Sequence, residues 1–333
     1  MSNLLVYFQS IDVARPFTFV DVGAMGGVPA QWQRAGNGIR VVAFEPDERE
    51  FKKLTSTSQV TYLPFALSEK SAPLTFHISK AAGKSSLYPP AMDMLKDFPD
   101  SARYTTSKTV AFPSSKVRSL SQALFDAKIA DIDFLKLDTQ GSELDILKGA
   151  GDALASVVGV EVEVEFARLY RQQPLFRDVD AFMDSKGFVL MDLRRAFWKR
   201  QAFFDYVGKG QLVCGDALYF RTPESLVTLL SGKPKDVARD KVLKTIIAAL
   251  VYRCADYAVD VLVKAADAGI FSSQEKERWI AQVKRDAQSW SGVRFPGSAL
   301  LAKIFRKLAE TFPVASYLGW ADGDRHIGNV RNV

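Results

Sequence analysis

The stretch FVDVGAMGG, from Phe19 to Gly27, constrains this chain more than any other. Four β-favouring residues, Phe17 to Val20, run into Asp21, and the chain then breaks into a glycine-rich turn where backbone amides can approach a ligand. A second strand, Gly38 to Phe44, ends on Glu45-Pro46. That puts a carboxylate at the carboxyl edge of the neighbouring strand, where ribose hydroxyls sit in open α/β sheets. Two acids at two strand tips bracket one nucleoside.

The turn selects which nucleoside by what it lacks. Gly23 is followed by Ala24 and Met25 before Gly26, so the second glycine of the dinucleotide fingerprint is missing. Asp21 would also repel a pyrophosphate at the mouth of the turn. S-adenosylmethionine (SAM) reverses that sign, bringing a sulfonium and an amino group with a single carboxylate for the turn amides. Asp21, Gly23, Ala24 and Gly26 therefore read as a SAM turn and Glu45-Pro46 as the ribose edge; the alternative is a purely structural glycine turn. A third strand, Val60 to Leu63, stops at Pro64, which leaves Ala66 and Leu67 at its tip within reach of an adenine.

A second informative stretch is IDFLKLDTQGSELDILKGA, Ile132 to Ala150. It reads as a buried strand with Asp138 at its tip, a turn at Gly141, and a helix capped by Ser142. Lys136 shares a face with Asp138 and needs an acid partner, Asp138 or Glu163; it either braces the sheet or touches substrate. VVGVEVEVEF, Val157 to Phe166, puts Glu161, Glu163 and Glu165 on one face, and the two nearest the strand's end are expected to line the site. LTFHIS, Leu74 to Ser79, alternates as a half-buried strand holding His77, and the small-residue loop after it offers Ser85 and Ser86 as ligand contacts or turn caps. RRAFWKR, Arg194 to Arg200, offers Arg194 and Trp198 to a polyhydroxylated or phosphorylated substrate, and equally suits a basic exposed loop.

With 333 residues, 47% of them hydrophobic, the chain can bury a large core. No apolar run reaches the ~18 residues of a membrane span, and the start shows no secretory signal, so a cytoplasmic protein is expected. Cys214 and Cys254 lack a CxxC spacing, and two histidines rule out a His-rich metal site. From Pro223 the pattern turns helical, with amphipathic stretches at Arg239 to Ala268, Ser273 to Trp290 and Ser298 to Phe312. Between Gly232 and Glu310 stand fifteen Lys and Arg against nine Asp and Glu, which is the whole net surplus of +6. This basic segment is either a solvated helical surface or one drawn to an anionic surface such as phospholipid. The division expected is residues 1–222 as the SAM-binding domain, 223–320 as a helical appendage and 321–333 as a loosely ordered tail.

Asp21-Val22-Gly23-Ala24, Ala43-Phe44-Glu45-Pro46, and Phe134-Leu135-Lys136-Leu137-Asp138 with Gly141, Glu143 and Leu147-Lys148-Gly149-Ala150 together resemble the FkbM family of SAM-dependent methyltransferases. Glu163, Tyr170 and Gly187-Phe188 fit as well, and the match runs from about Phe17 to Arg221. The resemblance implies an α/β, Rossmann-like, seven-stranded class I methyltransferase sheet and O-methylation of a hydroxyl on a sugar, glycan or related metabolite. It makes Asp21 and Gly23 contacts of the methionine portion, Glu45 the ribose ligand and Asp138 a neighbour of the transferring methyl. Met25 stands where the family usually has Asn, and Leu120-Ser121 where it has Leu-Asp; neither change removes a direct SAM contact, and both bear on substrate positioning.

Base candidates for the hydroxyl proton are Asp138, then Glu163, then His77. A divalent metal between Asp138 and Glu163 is the weaker alternative, since two scattered carboxylates make a thin donor set. A competing reading is a catalytically silent SAM-fold protein whose basic helices mediate assembly or membrane contact. Nucleic acid is not an expected partner, because the basic surplus lies in the appendage and no nucleic-acid-binding motif is visible. The sequence leaves the oligomeric state unread.

Overall fold

The computed structural model describes residue 13 and residues 15–33, 38–129, 131–290, 295–312 and 319–328. The lead-in, Met1 to Arg15, and the last residues of the tail fall largely outside them. The apolar runs of the first half form strands β1 (Phe17–Val22), β2 (Ile39–Phe44) and β3 (Val60–Leu63), with helices α1 (Ala30–Gln33) and α2 (Glu48–Phe51) on the connections between them. The helix expected from Pro29 to Ala35 is found over Ala30–Gln33, and its expected last turn and stop lie outside the described residues. Two small accessory sheets follow: β4 (Ala66–Leu67) pairs with β7 (Val117–Arg118), and β5 (Leu74–Ser79) with β6 (Thr106–Phe112). Between β5 and β6 lies α3 (Met92–Leu95), and beyond β7 come α4 (Leu120–Asp126), β8 (Phe134–Leu137), α5 (Glu143–Gly149), β9 (Gly159–Glu165), α6 (Phe176–Ser185), β10 (Phe188–Trp198) and β11 (Gln211–Arg221).

The main sheet has the order β12-β10-β11-β9-β8-β1-β2-β3, where β12 is Ala321–Gly323. β3, β2, β1, β8 and β9 run parallel, and β11 is antiparallel to both β9 and β10. This is the expected Rossmann-like methyltransferase sheet of seven strands, enlarged by one: residues 321–323, expected in the loose tail, pair with Ala196–Trp198 as an eighth, edge strand. The strand order reverses beside β1, so the crevice between β1 and β8 at their carboxyl ends is where a ligand fits.

Short crossovers leave one face of the sheet bare, and the C-terminal helices cover it. These are α7 (Pro223–Leu230), α8 (Lys235–Val251), α9 (Ala255–Asp267), α10 (Ser273–Ser289) and α11 (Ser298–Thr311). The expected Arg239–Ala268 helix is two, broken at Tyr252–Cys254, where Arg253 takes a positive φ of 57°. From Ile246 to Val251 α8 is apolar and buried on every side, whereas its first half carries charged residues, Lys241 and Lys244 among them. Its Val242, Ile246, Ile247 and Ala249 share one core with Phe19, Val41, Phe134 and Phe220 of the sheet. The helices read as an appendage therefore complete the sheet's core. Gly159 lets this core close, because a Cβ there would sit 2.7 Å from the rings of both Phe134 and Phe220. On the opposite face α4, α5 and α6 bury Leu120, Leu144, Ile146 and Met183 against Val20, Leu135 and Val160.

Candidate functional site

At the carboxyl edge β1 ends in the glycine turn, and the first constraint there is steric. Gly23 has φ +84°, and a Cβ on it would lie 1.9 Å from the Asp138 carbonyl oxygen, so the tips of β1 and β8 approach as closely as two backbones can. The amides of Gly23 and Ala24 both donate to the Phe44 carbonyl, at 3.0 and 3.1 Å. The sequence reading offered those amides to a ligand; the structure spends them on fastening the turn to β2.

Beside the turn a cavity of about 350 Å³ opens, a size that suits a nucleoside-bearing ligand. Gly23, Met25, Glu45, Pro46, Ala66, Leu67, Lys136, Asp138 and Glu163 line it, as does Ser85. Asp21 is buried and does not itself line the cavity, but it pairs with Lys136, which does. Burial pushes the Asp21 carboxyl up to about 6 even though Lys136 Nζ, 3.5 Å away, opposes the shift. Burial likewise raises Glu45 to about 7, against a 2.8 Å hydrogen bond donated by the Asp47 amide. On the side of Ala66 and Leu67 the wall is apolar, with Phe65, Phe76 and Leu87.

The partner of Lys136 is Asp21 first, with Asp138 at 4.0 Å, and not Glu163 as one expectation had it. Burial alone would lower the lysine's pKa, but Asp21, Asp138, Glu161 and Asp216 outweigh it and hold the ammonium form.

Asp138 and Glu163 meet through Gln140, a residue that sequence reading passed over. Its Nε2 donates to Asp138 Oδ1 at 3.1 Å and to Glu163 Oε2 at 2.6 Å, while its Oε1 accepts from Lys84 Nζ at 2.9 Å. Gln140 holds φ 60°, and the turn that presents it is pinned by Glu143, whose carboxylate accepts from the amides of Thr139 and Gly141 at 2.6 and 2.9 Å. The two carboxyls split apart. Burial and the Asp138 charge raise Glu163 well above the usual range. Burial also opposes ionisation of Asp138, but Lys136, Lys84 and hydrogen bonds from Glu163 and Gln140 prevail and hold it low. The two carboxyls are thus pushed in opposite directions, Glu163 toward holding a proton and Asp138 toward losing one.

Besides Asp21, Ala24 and Gly26 of the glycine turn, four other expected site residues do not line the cavity. Ser86 is buried and donates to the Gln140 carbonyl at 2.7 Å, so it braces the 138–141 turn. His77 is held in the β5 pairing, and burial lowers its pKa. Arg194 is committed to Asp216, with a contact of 2.6 Å. Trp198 packs in an aromatic cluster with Phe98, Tyr104 and Trp320. Ser85 lines the cavity, yet its hydroxyl is already engaged by Arg49, Ser79 and Asp47. Glu165 is buried behind Glu163 and does not line the cavity. Besides Gln140, sequence reading missed Lys84 and Arg103, both cavity-lining. The signal for Lys84 was its place in the loop AAGKSS; Arg103, deep in the β5–β6 connection, gave none.

Among the described residues no group of three or more His, Cys, Asp or Glu side chains could hold a metal ion, and no helix is long and apolar enough to cross a membrane. The residues present do fit SAM: a steric cradle at Gly23, buried acids for cationic groups and ribose hydroxyls, and an apolar wall for a base.

Comparison with known proteins agrees. The methyltransferase FkbM domain model matches residues 21–190. No curated protein matches the chain. Among solved structures it is similar to TrmK of M. capricolum bound to S-adenosyl-homocysteine, at 8% identity and a TM-score of 0.30 over 86% of this chain and 97% of that one. It is similar too to a SAM-dependent methyltransferase of Anabaena variabilis, at 8% identity and a TM-score of 0.31 over 62% and 77%. A third is a precorrin-6y C5,15-methyltransferase of Geobacter metallireducens, at 12% identity and a TM-score of 0.27 over 66% and 88%. Likenesses this distant say nothing of the acceptor. The family model, by contrast, spans half of the residues and every residue that lines the cavity, and the chain belongs to the FkbM family of SAM-dependent methyltransferases.

Proposed function

We propose that the protein O-methylates a hydroxyl of a sugar, glycan or related metabolite, with Asp138 receiving the hydroxyl proton. The observation that carries this reading is the bridge of Gln140 between the Asp138 and Glu163 carboxyls on the wall of the cofactor cavity. In this reading Asp21 faces the cationic end of the cofactor, Gly23, Ala24 and Gly26 shape its cradle, and Glu45 with Pro46 holds the ribose. Ala66 and Leu67, with Phe65, cover the base.

Bound SAM supplies a methyl group on a sulfonium, which leaves as a neutral thioether. Asp138 and Gln140 orient the acceptor oxygen for in-line attack, and alignment of this kind supplies much of the acceleration. As the methyl arrives, the oxygen becomes strongly acidic and its proton passes to Asp138. A carboxylate with a depressed pKa is sufficient for that late transfer, where a neutral hydroxyl would demand a stronger base. Glu163 stays protonated and keeps the negative charge on Asp138, on the side of the acceptor. Lys84 and Arg103, at the same cavity, favour an acceptor rich in oxygen or carrying a negative group.

The test has two stages. Calorimetric titration of SAM into the protein and into Asp21→Ala and Glu45→Ala establishes cofactor binding. A panel of hydroxylated sugars and glycans is then screened by mass spectrometry for transfer of the labelled methyl. Asp138→Asn is expected to retain SAM binding and to lower kcat about 100-fold. Methylation confined to nitrogen or carbon acceptors would defeat the O-methylation reading while leaving the family intact.

A further inference from the structure

The C-terminal helix α11 lies outside the core that the other helices build. Its side chains from Ala299 to Leu308 are all exposed. Leu300, Leu301, Ile304, Phe305 and Leu308 fall at i, i+1, i+4, i+5 and i+8, which makes one continuous apolar stripe, and Phe312 extends it. Leu300 is 64% exposed and Phe305 65%, values foreign to a helix packed on a core. Lys303, Arg306 and Lys307 lie beside and behind the stripe. A fourteen-residue helix with both faces in water is marginal, so the stripe calls for a cover.

A second exposed apolar group stands at the tip of the β10–β11 hairpin: Phe203, Phe204, Tyr206 and Val207, with Arg200 and Lys209 beside them. β10 runs parallel to β9, because both are antiparallel to β11, so this tip sits at the carboxyl edge of the sheet, the edge that carries the cofactor cavity. β12, which pairs with the last residues of β10, begins nine residues after Phe312. At about 3.5 Å per residue the end of α11 is tethered within about 30 Å of the same edge.

We propose that α11, together with the Phe203–Val207 tip, docks the protein on an anionic phospholipid bilayer. The stripe sinks among the acyl chains, and Lys303, Arg306 and Lys307 meet the headgroups. Charge decides the occupant: the helix carries three cations against the single acid Glu310, so a negative surface complements it, whereas a second copy would bring like charges to the rim of the contact. This inference stands apart from the acceptor chemistry proposed above, and its test does not measure methyl transfer.

The full-length protein is floated with vesicles of phosphatidylglycerol mixed equally with phosphatidylcholine, and with phosphatidylcholine alone. Binding to the mixed vesicles and not to the neutral ones is expected. Ile304→Asp with Phe305→Asp should weaken it by about 100-fold or more. Each of Lys303→Gln, Arg306→Gln and Lys307→Gln should cost about fivefold. All these side chains are exposed, so calorimetric SAM binding serves as the check that every variant is folded. Failure of folded protein to bind the mixed vesicles would overturn the proposal. So would vesicle binding indifferent to the α11 variants, or a concentration-dependent dimer that Ile304→Asp dissolves, which would make a second copy the cover.

Discussion

Two clusters of buried charge stand at opposite edges of the same sheet, and they are built on opposite terms. At the amino edge Asp133, fully buried, has both oxygens answered. Oδ1 accepts from Lys241 at 2.6 Å, and Oδ2 from the Thr18 amide at 2.8 Å and Lys244 at 3.0 Å. Lys241 reaches Asp131 and the Ser156 carbonyl as well, and Lys244 the Pro16 carbonyl, so this cluster bolts α8 to the sheet. At the carboxyl edge Asp21, Asp138, Glu161, Glu163, Glu165 and Asp216 face Lys136, Lys84 and Arg194. Burial opposes ionisation of all of them and prevails in all but Asp138, and Glu165 Oε1 has no hydrogen-bond partner among the described residues. One edge is neutralised for stability. The other keeps a surplus of negative charge that a cationic ligand relieves.

Breaking the neutralised edge should give the largest effect. Asp133→Ala strands two lysines in the core and is expected to destabilise the fold by about 3–5 kcal/mol, read by urea denaturation. SAM affinity of the protein that remains folded should be unchanged. If the change proves mild, the amino-edge cluster is not the bolt described here.

The same substitution logic at the other edge inverts the outcome. Asp21→Asn removes a carboxyl already held near 6, so stability at neutral pH should hardly fall, while SAM affinity drops about 10- to 100-fold with the loss of a charged contact. Equal losses in both quantities would show that Asp21 is structural and would erase the contrast between the edges.

A pH series sharpens the comparison without mutation. Asp21 and Glu45 bind protons more tightly folded than unfolded, their pKa values rising from 3.8 to about 6 and from 4.5 to about 7. Stability of the free protein should therefore be greater at pH 5 than at pH 8, falling as pH rises through about 4 to 7, where the folded state must give up those protons. SAM affinity should run the other way. Glu45 accepts from ribose hydroxyls as a carboxylate, so affinity is full near pH 8 and falls up to about tenfold per unit below about 7. Parallel slopes in calorimetry and thermal melts would refute the assignment of these acids to the ligand.

Much of the carboxyl edge was legible because it is written in local patterns. A strand followed by an acid and then glycine gave Asp21 and Gly23, and the same grammar gave Glu45 and Asp138 at the tips of β2 and β8. Residues whose role depends on what arrives from elsewhere were not legible. Gln140 matters because Glu143 pins its turn and Lys84 reaches it from a loop more than fifty residues upstream. Trp198 and Arg194 carried promising chemistry, but aromatic packing and Asp216 claimed them first. The C-terminal helices were recognised as helices, yet their place on the sheet was hidden. Nothing in α8 itself says that its apolar half packs on Phe19, Val41, Phe134 and Phe220 of the sheet.

Tyr252 joins the two edges and offers the finest test of their separation. It caps the carboxyl end of α8, the helix that carries Lys241 and Lys244. Its hydroxyl donates to Glu161 Oε2 at 2.6 Å and accepts from Trp32 Nε1 at 3.2 Å. Its ring stacks on Phe134 with centroids 5.4 Å apart, a contact that Tyr252→Phe keeps. The variant therefore removes only the hydroxyl, leaving buried Glu161 without that donor and Trp32 without its acceptor. A cost of about 1–3 kcal/mol in denaturant unfolding is expected. Glu161 does not line the cavity, so SAM affinity should move less than about threefold, or under about 0.7 kcal/mol. A tenfold loss of affinity would mean that Glu161 passes its charge on through Lys136 to Asp21, and that the carboxyl edge titrates as one coupled unit from the helix to the cofactor.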